Sequence, residues 1–164
     1  MVTNTINRNL TNFKLMNIKI RNTFPKDFDF ILNLTDYNMR EIVFQDWNAD
    51  WEREVKPNFI NAWKDGEKKV LEKNNILIGY FWFEKHFKKK EIFINSIQIT
   101  QHCQRKGIGN RILQWLIKEA ENDDLKYIRC VVQTKNIPAR KFFEKNKFQF
   151  INETKSGLLI ERVL

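Results

Sequence analysis

Two hydrophobic periods alternate along this chain, and each change of period marks an element boundary. From Asn17 to Thr23 apolar and polar residues alternate with Ile18 and Ile20 on one face, which predicts a first strand. Pro25 opens a helical stretch in which Phe28, Ile31, Leu32 and Leu34 fall at helix-like spacing. From Tyr37 to Asp50 the pattern weakens and a loop is expected. Trp51 to Trp63 predicts a second helix, begun anew near Pro57, and Asp65-Gly66 then signals a turn. Lys69–Glu72 and Ile76–Phe83 predict a hairpin about Asn74-Asn75, a pair that tolerates positive φ.

After a charged turn at Lys88–Lys90, the strand Ile92–Ile99 carries an irregularity. Ile92 and Ile94 share one parity, whereas Ile97 and Ile99 fall on the other. A one-residue phase slip inside a continuous strand is what a β-bulge produces, and bulges often sit beside functional sites. Gly107 and Gly109 then break the chain before a helix from Asn110 to Asn122 with an apolar face of Ile112, Leu113, Leu116, Ile117 and Ala120. Tyr127–Gln133 alternates as a strand, Pro138 lies in the first turn of a last helix, and Phe148–Ile151 and Leu158–Val163 close the chain about Ser156-Gly157. The order β-α-α-β-β-β-α-β-α-β-β predicts a mixed α/β sheet protein.

Composition narrows the class. A chain of 164 residues suits one domain, expected over 17–164, with 1–16 as a loosely held extension lacking the apolar stretch of a signal peptide. Cys103 and Cys130 are the only cysteines, too few for a disulfide scaffold and at no zinc spacing, so a reduced, cytoplasmic protein without metal is expected. No apolar run approaches membrane-spanning length. The net charge of +9 admits a polyanionic partner such as nucleic acid, but the lysines are scattered, which suits a solvated basic surface. A phosphorylated ligand needs only a local basic rim.

The loop Gln104-Arg105-Lys106-Gly107-Ile108-Gly109 is the first candidate for chemistry. Two glycines let the backbone turn sharply and approach a ligand closely, and the free amides of the following helix converge on the same point. That arrangement favours an anion, above all a pyrophosphate, with Arg105 and Lys106 adding charge at the rim. The dinucleotide fingerprint is not met, since there is no third glycine, and the phosphate-loop NTPase pattern is absent. An ordinary strand-to-helix turn would explain the loop alone equally well.

Beyond the loop, the chain resembles the GNAT superfamily of acetyl-CoA-dependent N-acetyltransferases. Gln104, Gly107 and Gly109 fit its Q/R-x-x-G-x-G/A signature, and Asn136 to Lys145 looks like its Asn-x-x-Ala-x-x-x-Tyr segment. The resemblance is specific from Ile92 to Phe148 and only topological over the first 60 residues. It implies a GNAT-like, mostly antiparallel twisted sheet of about seven strands flanked by about four helices, with the bulged fourth strand splayed from the fifth. It further implies that acetyl-CoA is the cosubstrate. Its pantetheine arm would lie in the gap along Ile97 and Ile99, and Gln104, Arg105, Lys106, Gly107, Ile108, Gly109 and Asn110 would surround the pyrophosphate. Asn136 and Arg140 would contact the cofactor; Asn136 is equally suited to cap the last helix. A homodimer is also implied by the resemblance alone.

Two departures bear on catalysis. The family's tyrosine, proposed to protonate the leaving thiolate, is Phe143 here, and a glycine near the end of the last helix is Lys147, so that Asn146 is expected in the left-handed position. Glu84 and His86 are the candidate bases, and Asn95 and Ser96 at the bulge could orient a water. A lysine amine of pKa about 10.4 costs about 4.6 kcal/mol to deprotonate at pH 7, so a weakly basic amine is the easier acceptor. Tyr37, Phe44, Trp47 and Trp51 cluster with Asp46 and Asp50, and Trp47 and Trp51 are the candidate acceptor contacts, although core packing would explain such aromatics too. The expected function is acetyl transfer to a primary amine of a small molecule or protein. A catalytically silent CoA-binding module is the alternative, and a nucleic-acid-associated protein a third.

Overall fold

The computed structural model describes residues 17–164, and the extension expected over 1–16 lies outside them. Seven strands form one sheet: β1 (Ile18–Asn22), β2 (Glu67–Lys73), β3 (Ile76–His86), β4 (Glu91–Ile99), β5 (Tyr127–Val132), β6 (Gln149–Thr154) and β7 (Gly157–Val163). They lie in the order β1-β2-β3-β4-β5-β7-β6, antiparallel throughout except for the parallel β4–β5 pair. The helices are α1 (Phe28–Trp47), α2 (Lys56–Ala62), α3 (Ile108–Asn122) and α4 (Ile137–Lys145), with a π-helical turn Trp51–Val55 leading into α2. The mixed α/β architecture is the one the sequence predicts.

Packing on both faces explains why β3 carries no charged residue from Ile76 to Phe83. Phe81 and Phe83 face α3, where Ile112, Leu113, Leu116 and Ala120 bury against them and against Ile92, Ile94, Ile128 and Cys130. Tyr80 and Trp82 face the other way, under Ile31 and Leu34 of α1 and Phe59 of α2. The hairpin turn is as expected, with Asn74 at φ 52° and Asn75 at φ 63°.

The bulge also falls where the parity slip puts it. Trp82 pairs with Ser96 but Phe83 pairs with Ile94, so Asn95 is the extra residue. The bulge resets the phase, and Ile97 and Ile99 pack on the same core as Ile94. Below it β4 and β5 part: their pairing runs only from Glu91–Tyr127 to Ile94–Cys130, while β5 continues to Val132 along β7.

Three expectations are corrected. The loop expected within Tyr37–Asp50 is confined to Asn48–Asp50; α1 continues to Trp47 and ends at Asn48, a left-handed cap at φ 50°. Its pattern is weak because Tyr37 and Phe44 are 70% and 57% exposed while the buried side comes from Ile31, Leu34, Thr35 and Val43. α3 starts at Ile108, with Gly107 as its cap, so Gly109 lies inside the first turn rather than before it. The left-handed residue after α4 is Lys147 (φ 66°), not Asn146. Asn146 stays at φ −93° because its side-chain amide donates to the Phe142 carbonyl and to Asn110 Oδ1.

Candidate functional site

The parting of β4 from β5 creates the site. Thr100 N–H donates to Ile78 O, and an antiparallel ladder alternates, so Gln98 and Ser96 share the β3-facing set. Ile97 and Ile99 therefore direct their backbone groups away from β3, into the gap. Among these, the Ile99 carbonyl is already engaged, accepting from Gln104 Nε2 at 2.9 Å and Asn38 Nδ2 at 3.2 Å. Gln104 thus ties the loop to the splayed strand.

A cleft of about 710 Å³ opens from this gap along the loop and the starts of α3 and α4. Ile97, Ile99, Gln104, Arg105, Gly107, Gly109 and Asn110 all line it. Gly107 takes φ 82° and Arg105 φ 57°, the turn that points the first amides of α3 at the cleft. Gly109 also serves packing, since a Cβ there would lie 2.9 Å from the Phe142 ring. Other expected contacts are placed differently. Ile108 is buried in the core, leaving only its backbone for a ligand. Lys106 Nζ donates back to His102 O at 2.6 Å, and Arg140 Nη1 donates to Thr134 O at 3.0 Å. Lys141 and Lys145 of α4 line the cleft instead, as does Asn38 of α1. Sequence reading missed all three; the four-residue spacing of the lysines on one helix face was the available signal.

On the other side of the gap lies a cavity of about 190 Å³, sharing Ile97, Gln98, Ala139 and Phe143 with the cleft. Trp47 and Trp51 both line it, with Asn95 and Asn136. Trp51 is buried, whereas Trp47 reaches across the rim and donates from Nε1 to Ser156 O at 3.1 Å. Asp46 Oδ1 accepts from Lys135 N at 3.0 Å and Lys135 Nζ donates to Gln45 O, which fastens the end of α1 to the loop after β5. Asn136 caps α4 through Ala139 N at 3.3 Å. Phe143 is 7% exposed, stacked edge-on against Phe142 and Phe148 at the junction of cleft and cavity.

A buried hydrogen-bond chain fixes the floor. Thr35 Oγ1 donates to Ile31 O, so Tyr80 OH donates to Thr35 (2.6 Å) and Ser96 Oγ to Tyr80 (3.1 Å). Gln98 Nε2 donates to Ser96 Oγ, and Asn38 Nδ2 to Gln98 Oε1. Burial pushes the Tyr80 phenol up to about 12, against the pull of its two bonds, so it stays protonated and structural.

Glu84 lies beyond the bulge, outside the cavity wall, where Oε1 accepts from Asn95 Nδ2 at 2.9 Å. His86 stands between Glu91 (Nδ1, 2.8 Å) and Glu84 (Nε2, 3.1 Å), and Arg129 bridges Glu91 to Glu161. Bonds from Asn95 first and His86 second hold the Glu84 carboxyl below its ordinary value, which weakens it as a base. Burial alone would raise Glu91, but the bonds from His86 and Arg129 outweigh it and lower the pKa. His86 is raised above 6.5, chiefly by Glu91 and then by Glu84. Its stabilising share is therefore complete below pH 6.5 and is lost as pH rises through the higher folded value. Urea midpoints measured from about pH 6 to about pH 9 should fall with pH, and His86→Gln should flatten that slope. An unchanged slope in the variant would show that the fall has another source.

The family model described as "Acetyltransferase (GNAT) family" matches residues 36–148. No curated protein matches the chain. Among solved structures, PaiA N-acetyltransferase from Thermoplasma acidophilum in complex with coenzyme A is similar at TM-score 0.69 and 15% identity, over 90% of this chain and 99% of that one. Ard1 from Thermoplasma volcanium gives TM-score 0.68 at 15% identity, covering 90% and 98%. An acetyltransferase of the GNAT family from Staphylococcus aureus Mu50 gives 0.66 at 15%, covering 90% and 99%. At such identities these likenesses bear on the fold. No helix among the described residues is long and apolar enough to cross a membrane, and these residues contain no cluster suited to a metal ion.

Proposed function

Because the chain belongs to the acetyltransferase (GNAT) family, we propose that it moves an acetyl group from acetyl-CoA to a primary amine by direct attack of nitrogen on the thioester. The observation that carries this reading is the meeting of cleft and cavity at Ile97, Gln98, Ala139 and Phe143, where two reactants would approach from opposite sides. The loop amides around Gly107 and the start of α3 suit a pyrophosphate, with Arg105, Lys141 and Lys145 supplying charge. The backbone of Ile97 and the Ile99 N–H suit the cofactor's amide-bearing arm, as a strand would. A backbone N–H at the bulge would polarise the thioester carbonyl. The coenzyme A bound to the Thermoplasma acidophilum relative supports the choice of ligand.

In this reading Asn95, Ser96 and Gln98 orient the amine, and Glu84 acts one step back by holding Asn95. Trp47 and Trp51 wall the acceptor's place. Residues 17–164 act as one domain, and the free, buried Cys103 and Cys130 suit a reducing cytoplasm. At position 143 the chain offers no proton, which a thiolate leaving group of pKa about 8.5 tolerates.

Titration calorimetry with acetyl-CoA, followed by assay of free-thiol release with mixed amines, tests the proposal. Binding with thiol release is expected. Binding without release would favour the second reading, a silent CoA-binding module, to which Phe143 specifically points. Phe143→Tyr places a phenol at the junction and is expected to raise kcat by about 10-fold or more with KM little changed. A kcat that does not move would mean that protonation of the leaving group does not limit the rate.

A further inference from the structure

The chemistry of the cavity wall points to the acceptor. Among the described residues lining it there is no Asp, Glu, His, Lys or Arg. The one titratable side chain is Cys130, whose thiol is held neutral by burial. Apolar cover comes from Met39, Val43, Trp51, Val55, Phe59 and Trp82, and neutral polar atoms from Asn95, Ser96 and Gln98.

The carboxylates nearest in sequence are all committed elsewhere: Asp36 pairs with Arg40, and Glu41 accepts from Gln45 Nε2. Asp46 takes the Lys135 amide and Asp50 the Arg53 amide. Glu52 pairs with Arg40 and Lys56, and Glu54 accepts from Asp50 N. Glu84 lies outside the wall, bonded to Asn95 and His86. An ammonium entering here would shed its hydration with no counter-ion to replace it, a cost that drives such groups to the neutral form. The volume suits a ring: a dry apolar cavity of about 150 Å³ admits benzene, so about 190 Å³ has room for one ring with its amine.

We infer that the acceptor is a weakly basic, single-ring primary amine of the aniline class, seated in the Trp51–Phe59 cavity with its nitrogen toward Asn95, Ser96 and Gln98. This rests on the acetyltransferase reading and names its substrate class. Such an amine arrives uncharged at neutral pH, so the chain needs no strong base. A lysine side chain of pKa about 10.4 is neutral in only about one molecule in 2,500 at pH 7. The nitrogen lone pair forms the C–N bond and the C–S bond breaks with its electrons on sulfur. The proton shed by nitrogen reaches that sulfur through solvent, leaving an amide and a free thiol.

The test uses the full chain at pH 7, with 4-methylaniline, an α-amine dipeptide, an N-blocked lysine peptide and spermidine as probes. Thiol release above the uncatalysed rate should favour 4-methylaniline over the lysine peptide and spermidine by about 100-fold or more in kcat/KM. With CoA present, the same ring amine should quench the fluorescence of the tryptophans lining the cavity, independently of turnover. Met39→Glu, which puts a carboxylate on the partly exposed α1 wall, should cut the ring-amine preference about 10-fold or more. Turnover of the peptides or spermidine equal to or above that of the ring amine overturns the inference and leaves acetyl transfer standing. So does a folded Met39→Glu chain with unchanged preference. Failure to bind acetyl-CoA by calorimetry overturns the acetyltransferase reading itself, and the inference with it.

Discussion

Gly107→Glu is expected to lower the affinity for acetyl-CoA by about 100-fold or more, equivalent to about 2.7 kcal/mol, in titration calorimetry. Two effects combine. Position 107 holds φ 82°, and a side chain in the left-handed region costs about 1–2 kcal/mol, felt as strain in the loop that starts α3. The larger effect is charge. Like charges about 4 Å apart repel by about 4 kcal/mol at an effective dielectric near 20, and screening at this half-open site reduces that without removing it. Gly107→Gln carries the strain but not the charge and should lose only about 10-fold. Equal losses in the two variants would mean that no anion sits at the loop. Unchanged binding in both would place the cofactor elsewhere.

The second large effect falls on stability. Gly157 opens β7 at φ 144°, and a Cβ there would stand 2.8 Å from the Val132 carbonyl carbon and closer still to its oxygen, with Gln133 Cα at 3.1 Å. All of these are backbone atoms, so relief requires β7 to move off the end of β5 rather than a side chain to turn. Gly157→Ala is expected to cost about 3 kcal/mol, read from urea midpoints, with the neighbouring Ser156→Ala within about 0.5 kcal/mol. Val132 and Gln133 also line the cavity, so the acceptor's KM should rise in whatever Gly157→Ala chain remains folded. A loss below about 1 kcal/mol would mean that the strands are not packed this closely.

Each side of the site was legible to a different degree. The bulge at Asn95 was readable because a strand's side chains alternate with period two, so a single inserted residue shows as a parity change between Ile94 and Ile97. The cap at Asn136 was readable from Pro138 two residues on. By contrast, α1 beyond Tyr37 was not legible as a helix, and the loop within Tyr37–Asp50 could not be placed. Its outer aromatics are solvent-exposed and its inner face borders a cavity as well as a core, so the helical period has no clean apolar stripe to express it. Lys141, Lys145 and Asn38 escaped notice for another reason. Each is an ordinary polar residue on a helix; the spacing of the two lysines marks a shared face but not which way that face turns when the helix docks.

The order of elements, the bulged strand and the glycine loop can be read along the chain, because periodicity, turn chemistry and backbone freedom are local properties carried by neighbouring residues. Long-range packing is what leaves Glu84 outside the cavity, bound to Asn95, and gathers His86, Glu91 and Arg129 into the network behind it. The same packing makes Gln104 and Asn38 share the Ile99 carbonyl and leaves the cavity wall without a charged side chain. Those facts join residues far apart in sequence. Which side chains converge depends on how far β4 and β5 part and how α1 lies across them, and that geometry is set by the packing of the whole sheet against its helices.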